Sequence, residues 1–302
     1  GRGRAAPDPS AAGRTVRMPA GLPRLVLLVL FGLLAVVLAR TAWVSDDAYI
    51  SFRSADNLVH GYGLRWNVAE RVQAFTNPLW TLVFAALYAA TKDAFAAAIG
   101  LSLVLSLAVA GLVALRWVRD LWAGAAAIAL LLSSRAWVDY SSSGLENPLI
   151  HLLLVAFFLV SRVEPSSRRL LVQSLIAGLA AFNRLDSVVI LLPALVWSWW
   201  STPRRLTGLL GVVTGFSPFI LWEAFATFYF GSAVPNTAFA KLSTGIPSSE
   251  LTAQGLRYFA NSFATDPLTL LTIASGLAAG LIVRTPARLA PVAGVPLHLI
   301  YK

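Results

Sequence analysis

Apolar runs of nearly membrane-crossing length recur throughout this chain. The first covers residues 25–39 and continues through Thr41, Ala42 and Trp43, and a helix of about 20 apolar residues crosses the hydrocarbon core of a bilayer. Only 13% of the residues are charged and 57% are hydrophobic, whereas about 25% are charged in a typical soluble domain. The sequence therefore predicts an all-α, polytopic transmembrane protein. The further spans are expected at residues 94–115, 121–132, 149–160, 170–182, 188–200, 206–222 and 268–283.

The loops between these spans are alternately basic and polar. The arginines before the first span place the N-terminus in the cytoplasm by the positive-inside rule; they are Arg2, Arg4, Arg14, Arg17 and Arg24. The alternation is kept only if residues 78–90 do not cross, so this short apolar segment is predicted to be re-entrant or interfacial. We therefore expect a multi-pass protein of the plasma membrane with one set of polar residues on its extracytoplasmic side. That set is Asp46, Asp47, Asp139, Glu146, Arg184, Asp186 and Lys241.

The ends of the chain are expected to differ from its middle. The chain begins with Gly1, and Met18 is its single methionine, so residues 1–22 are predicted to be a disordered basic tail. Residues 23–302 are expected to form the transmembrane domain.

Composition excludes several classes of chemistry. The chain has no cysteine and three histidines, which excludes zinc sites, thiol nucleophiles and disulfide frameworks. No P-loop, dinucleotide fingerprint, serine-hydrolase elbow or zinc-protease motif occurs. The net charge of +10 comes from arginines dispersed between apolar runs, so membrane anchoring explains it better than nucleic-acid binding. Any catalytic acid or base is therefore expected to be a carboxylate.

The polar stretch at residues 44–80 must lie outside the bilayer core, because a buried unpaired polar group costs roughly 2–7 kcal/mol. We expect Ser45 to cap a helix with Asp46 and Asp47 in its first turn. Its apolar face is formed by Ala48, Phe52, Ala55 and Val59, and its polar face by Asp46, Arg53, Asn57 and His60. The helix is expected to lie in the outer interface, to end at Gly61 and Gly63, and to be followed by a surface loop at residues 64–76.

Two clusters could carry chemistry on that side. Asp46 and Asp47 directly follow a span, at the expected membrane surface, and either carboxylate could serve as a general base. The alternative is that the two aspartates only stabilise a helix N-terminus. That role accounts for one acidic residue better than for two adjacent ones. The guanidinium of Arg184 can bind a phosphate through two parallel hydrogen bonds. Its alternative role is a local ion pair with Asp186.

The other polar residues have weaker signals. Glu146 is placed to cap the span that follows, with Pro148 in the first turn, or to help hold a divalent cation. Lys241 adds positive charge near a phosphate or anchors at the interface. His60 is read as a helix-end residue, and His151 as a packing residue.

Three motifs within residues 43–80 resemble a known family: W-V-S-D-D-A-Y-I, then R-x-x-x-N-L-x-x-G-x-G, then N-x-x-E-R-V-x-A-x-T-x-x-x-W. They resemble the first extracytoplasmic loop of bacterial GT-C glycosyltransferases that use polyprenyl-phosphate sugars, and are most similar to the actinobacterial terminal β-(1→2) arabinofuranosyltransferases. Weaker matches occur at S-G-L-E-N-P, N-R-L-D and P-N-T-A-F-A-K. Such enzymes usually continue into further spans and a soluble C-terminal domain, so the chain is expected to be C-terminally truncated, with its activity in question.

The resemblance implies a GT-C-like fold with interfacial helices in the first outer loop, and an Asp of the D-D pair, Asp46 or Asp47, as catalytic base. The predicted function is transfer of a sugar, arabinofuranose, from a polyprenyl-phosphate donor to a cell-envelope glycan or lipid acceptor, with inversion. Arg184 and Lys241 are expected to bind the donor phosphate, and no cofactor is required beyond a divalent cation (Mg, Mn or Ca), which is left open. The substrate-binding or metal-supporting candidates are Arg53, Asn77, Asp139, Glu146 and Asp186.

Two rival functions remain. A polytopic lipid or glycan transporter would use the same acids and arginine as a binding site without bond-making. Transporters often have internal repeats with interrupted spans, and neither is expected in this chain. A catalytically inactive fragment is the other alternative.

Overall fold

The computed structural model describes residues 21–242, 245–283 and 285–301, and over these ranges the chain is helical with no β-strand. The all-α prediction is thereby confirmed for the described part, whereas the predicted tail lies outside it up to residue 20. The helices are α1 (Leu22–Arg40), α2 (Ala48–Val59), α3 (Pro78–Thr91), α4 (Ala94–Leu112), α5 (Leu121–Ser133), α6 (Arg135–Tyr140), α7 (Asn147–Val160), α8 (Ser167–Asn183), α9 (Ser187–Trp200), α10 (Arg205–Gly215), α11 (Ser217–Phe230), α12 (Asn236–Leu242), α13 (Ser248–Thr265), α14 (Pro267–Val283) and α15 (Pro286–Tyr301).

Two helices of the described chain are long and apolar enough to cross a membrane. They are α1 and the 24-residue helix Ala94–Trp117, in which α4 continues through a π-helical turn, Val113–Trp117. The number rises to four if each of two bent pairs is one span: α10 with α11 bent by 48°, and α13 with α14 bent by 108°. Other predicted crossings fall on shorter apolar helices such as α5, α7 and α9, so the multi-pass topology stays a prediction.

The bent pairs correct the expectation that no span is interrupted. The predicted span at residues 206–222 breaks at Phe216, and Pro218 in the first turn of α11 explains why the α10 ladder does not continue. The second break lies at Asp266, directly before Pro267, the first residue of α14. In both cases a proline removes a backbone donor at the start of the second helix.

The helix α2 has the apolar face that the sequence predicts, and this face packs against α3 and α4; its place in the outer interface stays a prediction. Ala48, Phe52 and Ala55 are buried against Phe84, whose ring stacks on that of Phe52 with centroids 4.5 Å apart. Two details were predicted wrongly. Asn57 is buried, not on a polar face, because its amide donates to the carbonyls of residues 65 and 66 at 2.9 Å. The N-cap residue is Asp47 and not Ser45, and the Asp47 side chain makes no capping hydrogen bond.

The short helix α3 packs against the N-terminal part of α4, at Ala97 and Ala98. It begins next to the loop before α7, where Trp80 donates to the carbonyl of Gly144 at 3.0 Å, and ends at Lys92 in a left-handed conformation, φ 60°. Its 14 residues extend about 21 Å, less than the roughly 30 Å of a bilayer core. The re-entrant or interfacial reading of residues 78–90 agrees with this length and stays a prediction.

A bundle of α7, α8, α9 and α10 forms the largest buried apolar cluster, centred on Phe157, Leu170 and Leu191. α8 and α10 approach very closely because both carry glycine at the crossing. A Cβ atom added at Gly178 would lie 2.9 Å from the carbonyl oxygen of Gly215, which no real side chain tolerates. Small residues at such crossings allow helices in a bilayer to pack backbone to backbone.

Two regions expected to be loops contain helices. The predicted long loop at residues 223–267 holds the end of α11 and all of α12 and α13, and α6 lies within residues 133–147. Residues 64–76 form no helix or strand, as predicted. However, Leu64, Gln73 and Phe75 in this segment are buried, because Phe75 packs on Trp222 of α11.

Candidate functional site

Glu146 is the centre of a polar network at the N-terminal end of α7. It occupies the N-cap position, with Pro148 in the first turn as predicted, but its side chain makes no capping bond. Its buried carboxylate instead accepts from the Asn77 amide through Oε2 and from Arg184 Nη1 through Oε1, each at 2.8 Å. Residues far apart in the chain thus meet at one carboxylate.

Asn77 connects this carboxylate to α2 and α3. Its Oδ1 accepts from Ser51 Oγ at 2.9 Å and from Thr81 Oγ1 at 3.1 Å, while its Nδ2 donates to Glu146. All four residues are buried. Since an amide bonded on both sides has one orientation, Asn77 fixes the Glu146 carboxylate in place.

Arg184 lies in the extended segment between α8 and α9. Its Nε donates to Asp186 Oδ1 at 2.9 Å and its Nη1 to Glu146 at 2.8 Å, so the local pair foreseen as an alternative is present. Partial burial acts to lower the pKa of the guanidinium, but the hydrogen bond to Asp186 and the charge of Glu146 outweigh it and raise the pKa. Within the described chain, the third nitrogen, Nη2, donates no hydrogen bond, which leaves a donor for a further anion.

A polar cavity of about 250 Å³ opens above this network. Its lining includes Asp47, Ser51, Asn77, Glu146, Arg184 and Thr237. The two aspartates of the D-D pair differ here. Asp46 Oδ1 accepts from Ser45 Oγ at 3.2 Å and from the backbone of Asp47 at 3.0 Å, whereas the exposed Asp47 side chain has no hydrogen bond or ion pair among the described residues. Asp47 is thus the carboxylate available in the cavity.

A second, larger cavity adjoins the first through Arg184. It measures about 610 Å³ and lies among α5, α6, α7, α13 and α14, where apolar residues such as Leu131, Trp137 and Ile273 form much of its wall. His151 also lines it, and the buried Nδ1 of this residue has no hydrogen-bond partner within the described part of the chain. We name this second cavity the apolar groove. Leu145 and Arg184 line both it and the polar cavity, and Arg184 is the charged residue of the two.

Two predicted site residues do not join this network. Arg53 approaches Asp56, 3.9 Å away on the same helix, and the Asp139 carboxylate pairs with Arg135 at 3.5 Å on α6. Lys241 lies on α12, and its side chain is outside the described residues. His60, as predicted, is at the end of its helix.

The residues present do not fit a divalent cation. Both oxygens of Glu146 are already occupied by an amide and a guanidinium, and a cation site needs several free oxygen ligands. Among the described residues, no group of three or more acids or histidines is placed to hold a metal.

Sequence reasoning missed Ser51, Thr81 and Asn183. Each is a buried polar residue on a helix that also carries a buried apolar face, and Asn183 donates to the Glu146 carbonyl at 3.3 Å. A polar residue at an apolar position of the helical repeat was the available signal, since buried polar groups require partners.

These features define a class of protein: a helical protein with apolar helices of membrane length, in which a polar cavity adjoins an apolar groove at Arg184 and Leu145. The chain is 29% identical over 282 residues to the terminal β-(1→2)-arabinofuranosyltransferase of Mycobacterium tuberculosis, a match that covers 83% of this chain and 43% of the relative. The chain therefore spans less than half the length of that relative. No family model and no solved structure matches the chain. The similarity supports a distant relationship to a glycosyltransferase, in agreement with the motifs of residues 43–80.

Proposed function

We propose that this chain carries the donor site and the catalytic base of a membrane glycosyltransferase of the GT-C type. The observation that carries the proposal is the cavity in which the unpartnered Asp47 carboxylate and the Arg184 guanidinium both line the wall. The distant relationship to an arabinofuranosyltransferase supports a sugar-transferring reaction with an arabinofuranosyl unit as the group moved.

The donor is a polyprenyl-phosphate sugar whose lipid lies in the apolar groove. An isoprenoid chain matches the apolar walls of that groove, and Arg184, where the groove meets the polar cavity, is positioned to bind a phosphate through its remaining Nη2 donors. The sugar then occupies the polar cavity, next to Asp47. The active site lies on the extracytoplasmic side of the plasma membrane.

The reaction is a displacement at the anomeric carbon. Asp47 takes the proton of an acceptor sugar hydroxyl as its oxygen bonds to the anomeric carbon, and the bond from that carbon to the phosphate oxygen breaks. The electron pair leaves with the polyprenyl phosphate, whose charge Arg184 stabilises, as electrostatic catalysis requires. A single in-line step inverts the anomeric configuration.

Glu146 is a positioning residue in this account. It holds Arg184 Nη1 and the Asn77 amide at 2.8 Å, so that the guanidinium keeps one orientation between the two cavities. Preorganised charge of this kind costs no rearrangement during the reaction.

The test is transfer of labelled arabinose from polyprenyl-phosphoryl arabinose to an arabinan oligosaccharide by membranes containing the chain. Wild-type membranes should transfer the label, and Arg184→Gln should lower the rate by at least about 100-fold. Arg135→Gln, which changes an exposed arginine outside both cavities, is the matched control. Absence of transfer by the wild-type chain would contradict the proposal. Retention of the anomeric configuration would replace the single step by a covalent intermediate on a carboxylate.

A transporter is the second candidate, and the bent helix pairs favour it. Helices broken at mid-membrane frame binding sites in many transporters, and α13 and α14 meet at 108° beside the apolar groove. Uptake or flipping of the intact polyprenyl-phosphoryl arabinose in proteoliposomes, without release of polyprenyl phosphate, would establish this alternative.

A further inference from the structure

A second cleft lies at the other end of α7 from the polar cavity. The helix begins next to Glu146 and ends at Val160 after 14 residues, about 21 Å away. At that end a polar cavity of about 220 Å³ adjoins an apolar cavity of about 790 Å³, and both are lined by Ser161, Arg162 and Pro291. We name the two together the basal cleft.

The polar half of the basal cleft contains an incompletely paired cation. Arg169 is only 8% exposed. One of its Nη groups donates to the carbonyl of Val163 at 2.7 Å, while its buried Nε has no hydrogen-bond partner among the residues that the structure describes. Burial lowers the pKa of this guanidinium, with Glu164 acting in the opposite direction. A buried charge without full compensation is unfavourable, so an anion in the cavity would stabilise it.

The surroundings add to the positive potential. Arg162 also lines the polar half, against one acidic residue there, the exposed Glu164. The N-terminus of α8 faces the same segment, where Ser166 Oγ accepts from the backbone of Arg169 at 3.1 Å. Two guanidiniums, one carboxylate and a helix N-terminus together favour a singly charged anion.

The apolar half is a long cavity between α7, α9, α14 and α15. Its walls include Phe158, Ile190, Leu277 and Val292. A cavity of this composition that ends at two arginines has the polarity of an amphiphile with an anionic head and a hydrocarbon tail.

We propose that the basal cleft binds an anionic phospholipid, with its phosphate at Arg162 and Arg169 and an acyl chain in the apolar half. The occupant follows from charge complementarity and from the continuity of the two cavities. The proposal does not depend on glycosyl transfer. A competing occupant is the tail of a polyprenyl donor, because Thr272 and Ile273 line both the basal cleft and the apolar groove.

The head-group contact is tested by native mass spectrometry of the full chain in detergent with phosphatidylglycerol or phosphatidylcholine. The wild type should retain phosphatidylglycerol in preference to phosphatidylcholine. Arg162→Gln should lower that retention by about tenfold, as expected for a lost bond to a charged group, and Arg162→Lys should recover part of it. The matched control is Arg168→Gln, because Arg168 is an exposed arginine of the same segment that does not line the cleft.

The tail contact is tested by filling the apolar half. Gly276 lines it, and a Cβ atom there would meet nothing within 4 Å, so Gly276→Leu occupies the cavity without a backbone clash. It should lower phosphatidylglycerol retention, whereas Gly255→Leu, at an equally open position on α13 outside the cleft, should not.

Two results of the retention experiments would overturn the proposal, and a competition experiment with polyprenyl phosphate supplies a third. One is equal retention of the two phospholipids by the wild type. The other is equal retention of phosphatidylglycerol by the Arg162→Gln and Arg168→Gln variants. If added polyprenyl phosphate displaces no phosphatidylglycerol from the wild type, the phospholipid and the donor occupy separate sites, as proposed. If it displaces all of the phosphatidylglycerol, the cleft binds the donor tail and the phospholipid proposal is rejected.

Discussion

Replacing Glu146 with glutamine removes the charge at the centre of the network while keeping its size. The glutamine has one acceptor oxygen, so it can accept from either Asn77 Nδ2 or Arg184 Nη1, both now at 2.8 Å, and its NH₂ group then faces the other donor. A lost hydrogen bond to a charged group costs about 1.5–3 kcal/mol when buried. Because the Arg184 side chain is 39% exposed, solvent screens its interaction with Glu146. The free energy of unfolding is therefore expected to fall by about 2 kcal/mol.

The assay is thermal unfolding of the purified chain in detergent. At about 2–4 °C per kcal/mol for a chain of this size, Glu146→Gln should lower the Tm by about 4–8 °C. The control is Asp139→Asn, whose carboxylate forms an exposed 3.5 Å pair with Arg135; such pairs contribute about 0–1 kcal/mol. Equal Tm values for the two variants would refute the idea that Glu146 is the structural centre of the site. A double-mutant cycle with Asn77→Ala should show strong coupling, since both residues share one bond.

Two further predictions concern helix junctions. Burial acts to raise the pKa of the Asp266 carboxyl, but hydrogen bonds from Ala136 and Thr269 outweigh burial and lower the pKa. The ionised carboxylate therefore stabilises the fold at pH values above the ordinary pKa of Asp. This stabilisation is lost as the pH falls through the lowered pKa. The protection factors of the α13 amides, which correct for the intrinsic pH dependence of exchange, should therefore fall on acidification, and less so in Asp266→Asn. Gly178→Ala should lower the free energy of unfolding by about 1–3 kcal/mol through a clash with Gly215, measured by denaturant titration, whereas Gly32→Ala, in open space on α1, should not destabilise.

The apolar part of the fold was predictable because it depends on local pattern. Residues 25–39 and 94–115 are predicted to be spans because a helix in lipid needs an unbroken apolar surface. The structure has the long apolar helices α1 and α4 at these positions. The helix α13 was missed because polar residues occur throughout it, so it has no apolar run and resembles a loop. Its residues are nearly all exposed, and Leu251, Leu256, Phe259 and Phe263 recur at helical spacing, so this amphipathic periodicity was the available signal.

The candidate site was predictable as a set of residues but not as a geometry. Asp46 and Asp47 are adjacent and chemically identical, and only the turn before α2 decides that one is bonded locally and the other lines the cavity. Glu146 appeared to be a helix cap, because its partners Asn77 and Arg184 are 69 and 38 positions away in the chain. Long-range pairing of this kind follows from tertiary packing alone.

The central claim, that Asp47 is the base, is tested most directly by comparing Asp47→Asn with Asp46→Asn in the transfer assay from polyprenyl-phosphoryl arabinose. Loss of a general base lowers rates by about 10²–10⁴-fold. The predicted result is a loss of that size in Asp47→Asn and a change of no more than a few-fold in Asp46→Asn. Full activity in Asp47→Asn, or a loss confined to Asp46→Asn, would contradict it.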